Sequence, residues 1–189
     1  MLYGAYKNLR DAAWQVLIDY NINSLPVNLR SICEKSGIKI VKDSALHLLS
    51  PLQSGISVLN KDKWYIVYAD DQSIERCRFT VAHELGHIFL GHQLISGYHA
   101  RTFDVSRPQI EQEADMFAAR LLAPSCVIWG LDLHTPEEIA VACKISFSAA
   151  HNRAERMTML YQRNKFLKSP LERKVYEQFR GYIEQINQD

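Results

Sequence analysis

The sequence has no pair of closely spaced cysteines. Its four cysteines stand at positions 33, 77, 126 and 143, so it contains no C-x-x-C motif. Zinc knuckles and dithiol redox sites both need two cysteines within a few residues, and the sequence offers neither. We therefore predict reduced, buried thiols.

Long apolar runs are also missing. No segment approaches the roughly twenty consecutive apolar residues that a membrane-spanning helix needs. Residues 1–11 carry charges at Lys7, Arg10 and Asp11, where a secretory signal would have an apolar stretch. We predict a cytoplasmic protein that does not enter the membrane.

An excess of charge of one sign is absent as well. The formal net charge is +1, with 47% hydrophobic and 23% charged residues, which is the composition of an ordinary globular protein. Nucleic acid is therefore not expected as a direct ligand. The length of 189 residues suits one domain, or one domain with a small appendage.

The most informative stretch runs from Thr80 to His92, with the sequence T-V-A-H-E-L-G-H-I-F-L-G-H. It contains one H-E-x-x-H motif. On a helix, His83 and His87 are one turn apart, so both imidazoles project from the same face and can bind one metal ion. Two histidines and a third ligand leave zinc one position for water, and Glu84 can take the proton of that water as it attacks a carbonyl. The motif predicts peptide hydrolysis, with Zn²⁺ as cofactor and Glu84 as general base.

A second predicted helix, from Pro108 to Ala123, supplies candidates for the third ligand. Its carboxylates are Glu111, Glu113 and Asp115. Helical spacing places Glu111 and Asp115 on one face and Glu113 on another. We predict Glu111 as the third ligand and Asp115 as the hydrogen-bond partner that orients a metal-bound histidine. Glu113 remains the alternative ligand.

His92 is a tempting third histidine, but its spacing does not fit the metzincin signature H-E-x-x-H-x-x-G-x-x-H. That signature would need glycine at position 90 and histidine at position 93, where this sequence has Leu90 and Gln93. We predict that His92 lies at the end of the helix as a capping or rim residue, or as a substrate contact, rather than as a ligand. Residues 92–108 are predicted to form a loop over the site. The candidates for stabilising an oxyanion are Tyr98, His99 and His92, and none is favoured over the others.

The remaining patterns predict a small sheet and further helices. The runs Gly55–Asn60 and Lys63–Tyr68 predict an antiparallel hairpin, whose edge could hold an extended peptide beside the metal. Thr135 to Arg153 has the rhythm of helix, turn, helix, with Ser146 or Ser148 capping the second helix. A last amphipathic helix, Leu171–Ile186, could pack back on the protein or form a dimer.

Together, the two motif helices resemble the ImmA/IrrE family of metallo-endopeptidases. The resemblance covers roughly Asn28 to Pro124 and rests on H-E-L-G-H-I-F-L-G-H from His83 and E-Q-E-A-D-M-F-A-A-R-L-L-A-P from Glu111. Ala123 stands where the family commonly has methionine, a packing difference that affects no ligand. The resemblance implies a small zinc peptidase that cleaves a helix-turn-helix repressor encoded beside it, in a phage or another mobile element.

We therefore predict an α+β, zincin-like fold that is mostly helical with a small antiparallel sheet. Residues 1–130 would form the metallopeptidase domain, and residues 131–189 a helical lobe that packs on it or docks the substrate. Two other function classes stay open. The protein could bind a repressor without cutting it, as an anti-repressor, or it could be a DNA-binding regulator. The side chains available for DNA are His151, Asn152, Arg153 and Arg156.

Overall fold

The computed structural model describes residues 3–92 and 108–188. These two stretches contain eight α-helices and three β-strands. In chain order they are α1 (Tyr3–Asp19), α2 (Leu29–Lys35), β1 (Lys39–Lys42), β2 (Gly55–Asn60), β3 (Lys63–Tyr68), α3 (Ile74–Phe89), α4 (Pro108–Leu122), α5 (Ser125–Gly130), α6 (Pro136–Cys143), α7 (Phe147–Gln162) and α8 (Pro170–Ile186). No helix in the described stretches is both long and apolar enough to cross a membrane. The four cysteines are free thiols, of which Cys77 is half-buried and the others are buried.

The three strands form one mixed sheet in the order β1-β3-β2. Strands β2 and β3 form the predicted antiparallel hairpin. Its turn residues, Lys61 and Asp62, have φ angles of 47° and 62°, as a two-residue type I′ turn requires. Strand β1 instead runs parallel to β3, with Ile40 opposite Ile66. The sheet therefore differs from the wholly antiparallel one predicted, because β1 adds a parallel strand to the antiparallel hairpin.

The chain divides into two compact units. The first comprises Met1–Ala12 and Leu29–Ala118, and the second comprises Ala13–Asn28 and Ala119–Asp189. The first unit contains the sheet, α2, α3 and most of α4, whereas the second contains α5 to α8. The division into domains at residue 130 stays a prediction.

In the first unit, α3 packs against β2 and β3. Strand β3 buries Ile66 and Val67, and α3 buries Leu85. The helix begins at Ser73, whose hydroxyl accepts a hydrogen bond from the backbone amide of Arg76. Such a cap satisfies one of the amides that a helix leaves unpaired at its start. The sheet and the cap thus hold the helix that carries the H-E-x-x-H motif.

In the second unit, α6 and α7 pack together as the predicted helix, turn, helix. Thr135 and Glu138 form a reciprocal capping box at the start of α6. Lys144 ends that helix in the left-handed conformation, with φ 53°. The hydroxyl of Ser146 accepts a backbone amide of α7, so Ser146 rather than Ser148 is the capping residue.

Helix α8 packs against α5 within the second unit. Its buried face carries Val175, Phe179 and Ile183. The contact is close, since a Cβ at Gly130 of α5 would lie 2.8 Å from Ile183 Cδ1. The apolar face predicted for this helix is thus packed inside its own unit, and the dimer through it stays a prediction.

Candidate metal centre

His83 and His87 lie one turn apart on α3, and their imidazoles converge. The two Nε2 atoms are 2.9 Å apart. The His83 side chain is 16% exposed and that of His87 only 2%. At this distance either one neutral imidazole donates its Nε2 hydrogen to the other, or both Nε2 atoms offer lone pairs to a cation between them. The pair can therefore supply two ligands to one cation.

Glu111 of α4 completes the group. Its Oε2 lies 3.2 Å from His83 Nε2, and its Oε1 lies 3.5 Å from His87 Nε2. Hydrogen bonds from the two histidines hold the pKa of this carboxyl well below its usual range. Within residues 3–92 and 108–188, this is the one group of three possible ligands whose donor atoms all lie within 4.8 Å of one another. Tetrahedral zinc has bonds of about 2.0–2.2 Å and so spaces its ligand atoms roughly 3.3 Å apart, a spacing that these donors fit.

Asp115 determines which nitrogen of His83 faces this group. Its Oδ1 lies 2.8 Å from His83 Nδ1. An ionised carboxylate only accepts hydrogen bonds, so Nδ1 carries the hydrogen and Nε2 points toward Glu111. Burial acts to lower the pKa of His83, but the hydrogen bonds with Asp115 and Glu111 outweigh it and raise the pKa to about 9. A metal ion bound here would therefore displace the proton on Nε2.

The Glu84 side chain contacts the sheet and is 7% exposed. Burial raises the pKa of its carboxyl, and the positive charges of His83 and His87 offset part of that rise. The hydroxyl of Ser57 in β2 donates a hydrogen bond to this carboxylate. On the same strand, a Cβ at Gly55 would lie 3.5 Å from Glu84 Cγ. A buried carboxyl of raised pKa beside a cation site is suited to accept and release a proton.

His92 is not at the rim of the site, so that prediction was wrong. Helix α3 ends at its cap residue Leu90, and Gly91 follows in the left-handed conformation, with φ 72°. This turn leads His92 back to His87, so that their Nδ1 atoms are 3.0 Å apart. The His92 side chain is 3% exposed. Burial, followed by the charge of His87, lowers the pKa of His92.

Glu113, the alternative third ligand, lies outside the group of three possible ligands. Its Oε2 lies 3.2 Å from His92 Nε2. Its Oε1 accepts a hydrogen bond of 3.0 Å from Gln109, one turn earlier on α4. Helical spacing separates Glu113 from the face of the ligand candidates, but spacing alone cannot identify its contact with His92.

Helices α3 and α4 approach closely beside the site. A Cβ at Gly86 would lie 3.1 Å from Phe117 Cδ1 and 3.2 Å from the Cα of Ala114. The rings of Phe89 and Phe117 are 6.2 Å apart. The small residues at this crossing thus set the distance between the histidines of α3 and the carboxylates of α4.

Two predicted site residues, Tyr98 and His99, lie outside the described residues. The third oxyanion candidate, His92, uses both ring nitrogens on other side chains. Sequence reasoning also missed Ser57, the hydrogen-bond partner of Glu84. Its signal was a serine between the apolar residues Ile56 and Val58, and the structure buries this serine with 2% exposure.

Comparison with known families agrees with this geometry. Residues 33–155 match the family Peptidase_M78, described as the IrrE N-terminal-like domain. The match covers more than half of the chain and includes His83, His87 and Glu111, the three possible metal ligands. No curated protein matches the chain in sequence. The predicted α+β, zincin-like fold is confirmed, with the mixed sheet as its one difference.

Proposed function

Because this chain belongs to the Peptidase_M78 family of metallopeptidases, we propose that it is a zinc-dependent endopeptidase that cleaves a helix-turn-helix repressor of a phage or other mobile element. One observation carries the proposal. His83, His87 and Glu111 converge on one point, and the buried carboxyl of Glu84 stands beside them. The three converging residues would bind the ion, and Glu84 would act as general base.

The chain's own residues account for the proton movements of peptide hydrolysis. Zinc held by this donor set would supply Lewis-acid polarisation of the scissile carbonyl and a water of lowered pKa. Glu84 accepts a proton from the attacking water as the new C–O bond forms. It then donates that proton to the leaving nitrogen as the C–N bond breaks, and so returns to the carboxylate. Ser57 keeps the carboxylate in place throughout.

Strand β2 is suited to hold the substrate. It lies at the edge of the sheet, it contacts Glu84 through Ser57, and a Cβ at Gly55 would lie 3.5 Å from Glu84 Cγ. A peptide that pairs with a sheet edge is held extended by main-chain hydrogen bonds. In this proposal the substrate lies along β2, with its scissile bond beside the three ligands.

A repressor as the substrate rests on the resemblance to the ImmA/IrrE family. Helices α6 and α7 expose Val141 and Phe147, which are 82% and 57% accessible. Exposed apolar side chains suit the docking of a protein better than they suit a phosphate backbone. Arg153, one of the residues that DNA binding would use, donates instead to the backbone carbonyl of Ala123 in its own unit. The exposed apolar side chains and the hydrogen bond of Arg153 favour protein docking over the DNA-binding alternative.

The test is co-incubation of the purified protein with the repressor encoded beside it, followed by intact-mass measurement. The wild type should produce two fragments, and a chelator should abolish them. Glu84→Gln should slow cleavage about 10²–10⁴-fold, the usual contribution of a general base, while metal content stays unchanged. The matched control Glu184→Gln removes an exposed carboxylate of α8 and should cleave at the wild-type rate.

Each alternative has its own outcome in the same experiment. A wild type that relieves repression but leaves the repressor intact would identify a non-cleaving anti-repressor. Undiminished cleavage by Glu84→Gln would exclude this residue as the base. Salt-sensitive DNA binding that is weakened by Arg156→Ala would favour a DNA-binding regulator.

A further inference from the structure

The metal-binding histidines do not have the same support. His83 contacts a carboxylate directly, through its Nδ1 and Asp115. His87 contacts another histidine, since its Nδ1 lies 3.0 Å from Nδ1 of His92. The other ring nitrogen of His92 lies 3.2 Å from Glu113 Oε2. Each histidine is thus linked to a carboxylate: His83 contacts Asp115 directly, and His87 is linked to Glu113 through His92.

When His87 binds a metal ion through Nε2, the hydrogen bonds that link His87, His92 and Glu113 have only one possible direction. The Nε2 of His87 must then offer its lone pair, so Nδ1 carries the hydrogen and donates. The Nδ1 of His92 must accept that hydrogen bond, which leaves the hydrogen of a neutral His92 on Nε2. That nitrogen donates in turn to the Glu113 carboxylate, which only accepts. Each of these hydrogen bonds therefore supports the next.

The surroundings hold the three side chains in this arrangement. His87 and His92 are 2% and 3% exposed, and their rings meet edge to face with centroids 5.0 Å apart. Gly91 turns the chain after α3 and so brings His92 into this position. On the other side, Gln109 donates to the second oxygen of Glu113. The contact between His92 and Glu113 therefore links the end of α3 to the first turns of α4.

We propose that His92 and Glu113 act together as a positioning pair, which fixes the tautomer and orientation of His87 for metal binding. The inference rests on the proposed metal site and goes beyond its three ligands. Partners of this type usually contribute about 10–100-fold to metal affinity. Glu113 acts through His92, so its own contribution is smaller than that of His92 and disappears when His92 is removed.

The experiment measures zinc affinity by competition with a chromophoric chelator, in the full-length protein. His92→Leu removes both hydrogen bonds and should weaken binding about 10–100-fold. His92→Asn keeps an acceptor for His87 and should recover part of that loss. Glu113→Gln should weaken binding less than His92→Leu does, and the double variant should match His92→Leu alone. This non-additivity distinguishes a positioning pair, in which Glu113 acts through His92, from two independent packing effects.

A second measurement uses the wild type alone and so does not depend on whether a variant folds. In the zinc-loaded protein, long-range ¹H–¹⁵N correlation spectra of the imidazoles should show a hydrogen on Nδ1 of His87 and on Nε2 of His92. A hydrogen on Nδ1 of His92 would overturn the positioning pair, because this nitrogen could then not accept a hydrogen bond from His87.

The second unit supplies matched controls. His151 and Glu155 form an exposed histidine–carboxylate contact on α7, with 3.5 Å between Nε2 and Oε1. His151→Leu and Glu155→Gln should leave zinc affinity unchanged. Wild-type affinity in His92→Leu would overturn the positioning pair while leaving the metal site intact. A wild type that binds no zinc would instead overturn the proposed function, and the inference with it.

Discussion

Histidines contact carboxylates in two regions of this chain. In one region the contacts are long-range and largely buried, and in the other they are local and exposed. Between α3 and α4, the contact of His83 with Glu111 joins residues 28 positions apart, and the histidine side chain is 16% exposed. In the second unit, His134 contacts Asp132, and His151 contacts Glu155. These partners are 2 and 4 positions apart, and both histidines are more than half exposed.

The difference shows that residue type alone does not make a site. A histidine and a carboxylate one helical turn apart meet on any exposed helix, and such a pair contributes about 0–1 kcal/mol. The pair on α7 is exposed and lies on one helix, and its i,i+4 spacing requires no tertiary structure. Convergence of several such groups needs two helices held at a fixed distance, which the close contact at Gly86 provides.

The largest effect is expected from removing a converging histidine. His87→Ala should weaken zinc binding by more than about 100-fold, since the loss of an orienting partner alone typically reaches about 10–100-fold. Metal content after dialysis, measured by elemental analysis, checks this. His151→Ala is the control and should retain the wild-type content. Equal metal content in the two variants would place the ion elsewhere.

The next effect concerns the carboxylate behind His83. Asp115→Asn keeps the size of the side chain but removes its charge, and should lower zinc affinity about 10–100-fold. The matched change in the exposed region is Asp132→Asn, which should have no effect on affinity. Chelator competition measures both, and identical affinities for the two variants would contradict the role given to Asp115.

A third change addresses the distance between the helices. Gly86→Val places atoms where Phe117 and Ala114 already lie, and such overpacking costs about 1–3 kcal/mol of unfolding free energy. The control is Gly181→Val on α8, where an added Cβ meets nothing within 4 Å. Denaturant unfolding measures both free energies. A Gly86→Val protein as stable as the control would show that the crossing tolerates a wider spacing.

The smallest effect is expected in the exposed region. Glu155→Gln breaks the contact with His151 and should change the free energy of unfolding by no more than about 0.5 kcal/mol. The same denaturant titration checks it. A loss of several kcal/mol would mean that exposed and buried pairs of this kind do not differ as claimed.

Helical spacing was enough to predict which residues of each helix share a face. It placed His83 beside His87, and it placed Glu111 with Asp115 rather than with Glu113. The hairpin was predicted equally well, because alternation and a two-residue turn are local properties. Each of these features depends on residues that are close in sequence, within about two helical turns or two adjacent strands. The amino-acid sequence is therefore enough to predict it.

The contacts that were missed depend on tertiary structure. The burial of His92 follows from the reversal of the chain at Gly91, and a glycine after a helix does not tell which way the next residue faces. The contact of Ser57 with Glu84 needs β2 to lie against α3. The parallel pairing of β1 is likewise set by the path of the chain, which the strand's own residues do not encode.

The central claim is that one zinc ion binds to His83, His87 and Glu111. Anomalous scattering at the zinc absorption edge, from crystals of the zinc-loaded protein, tests it most directly. We expect one peak per chain at about 2.0–2.2 Å from the Nε2 atoms of both histidines and from a carboxylate oxygen of Glu111. A peak coordinated by Glu113 in place of Glu111, or no peak between α3 and α4, would contradict the claim.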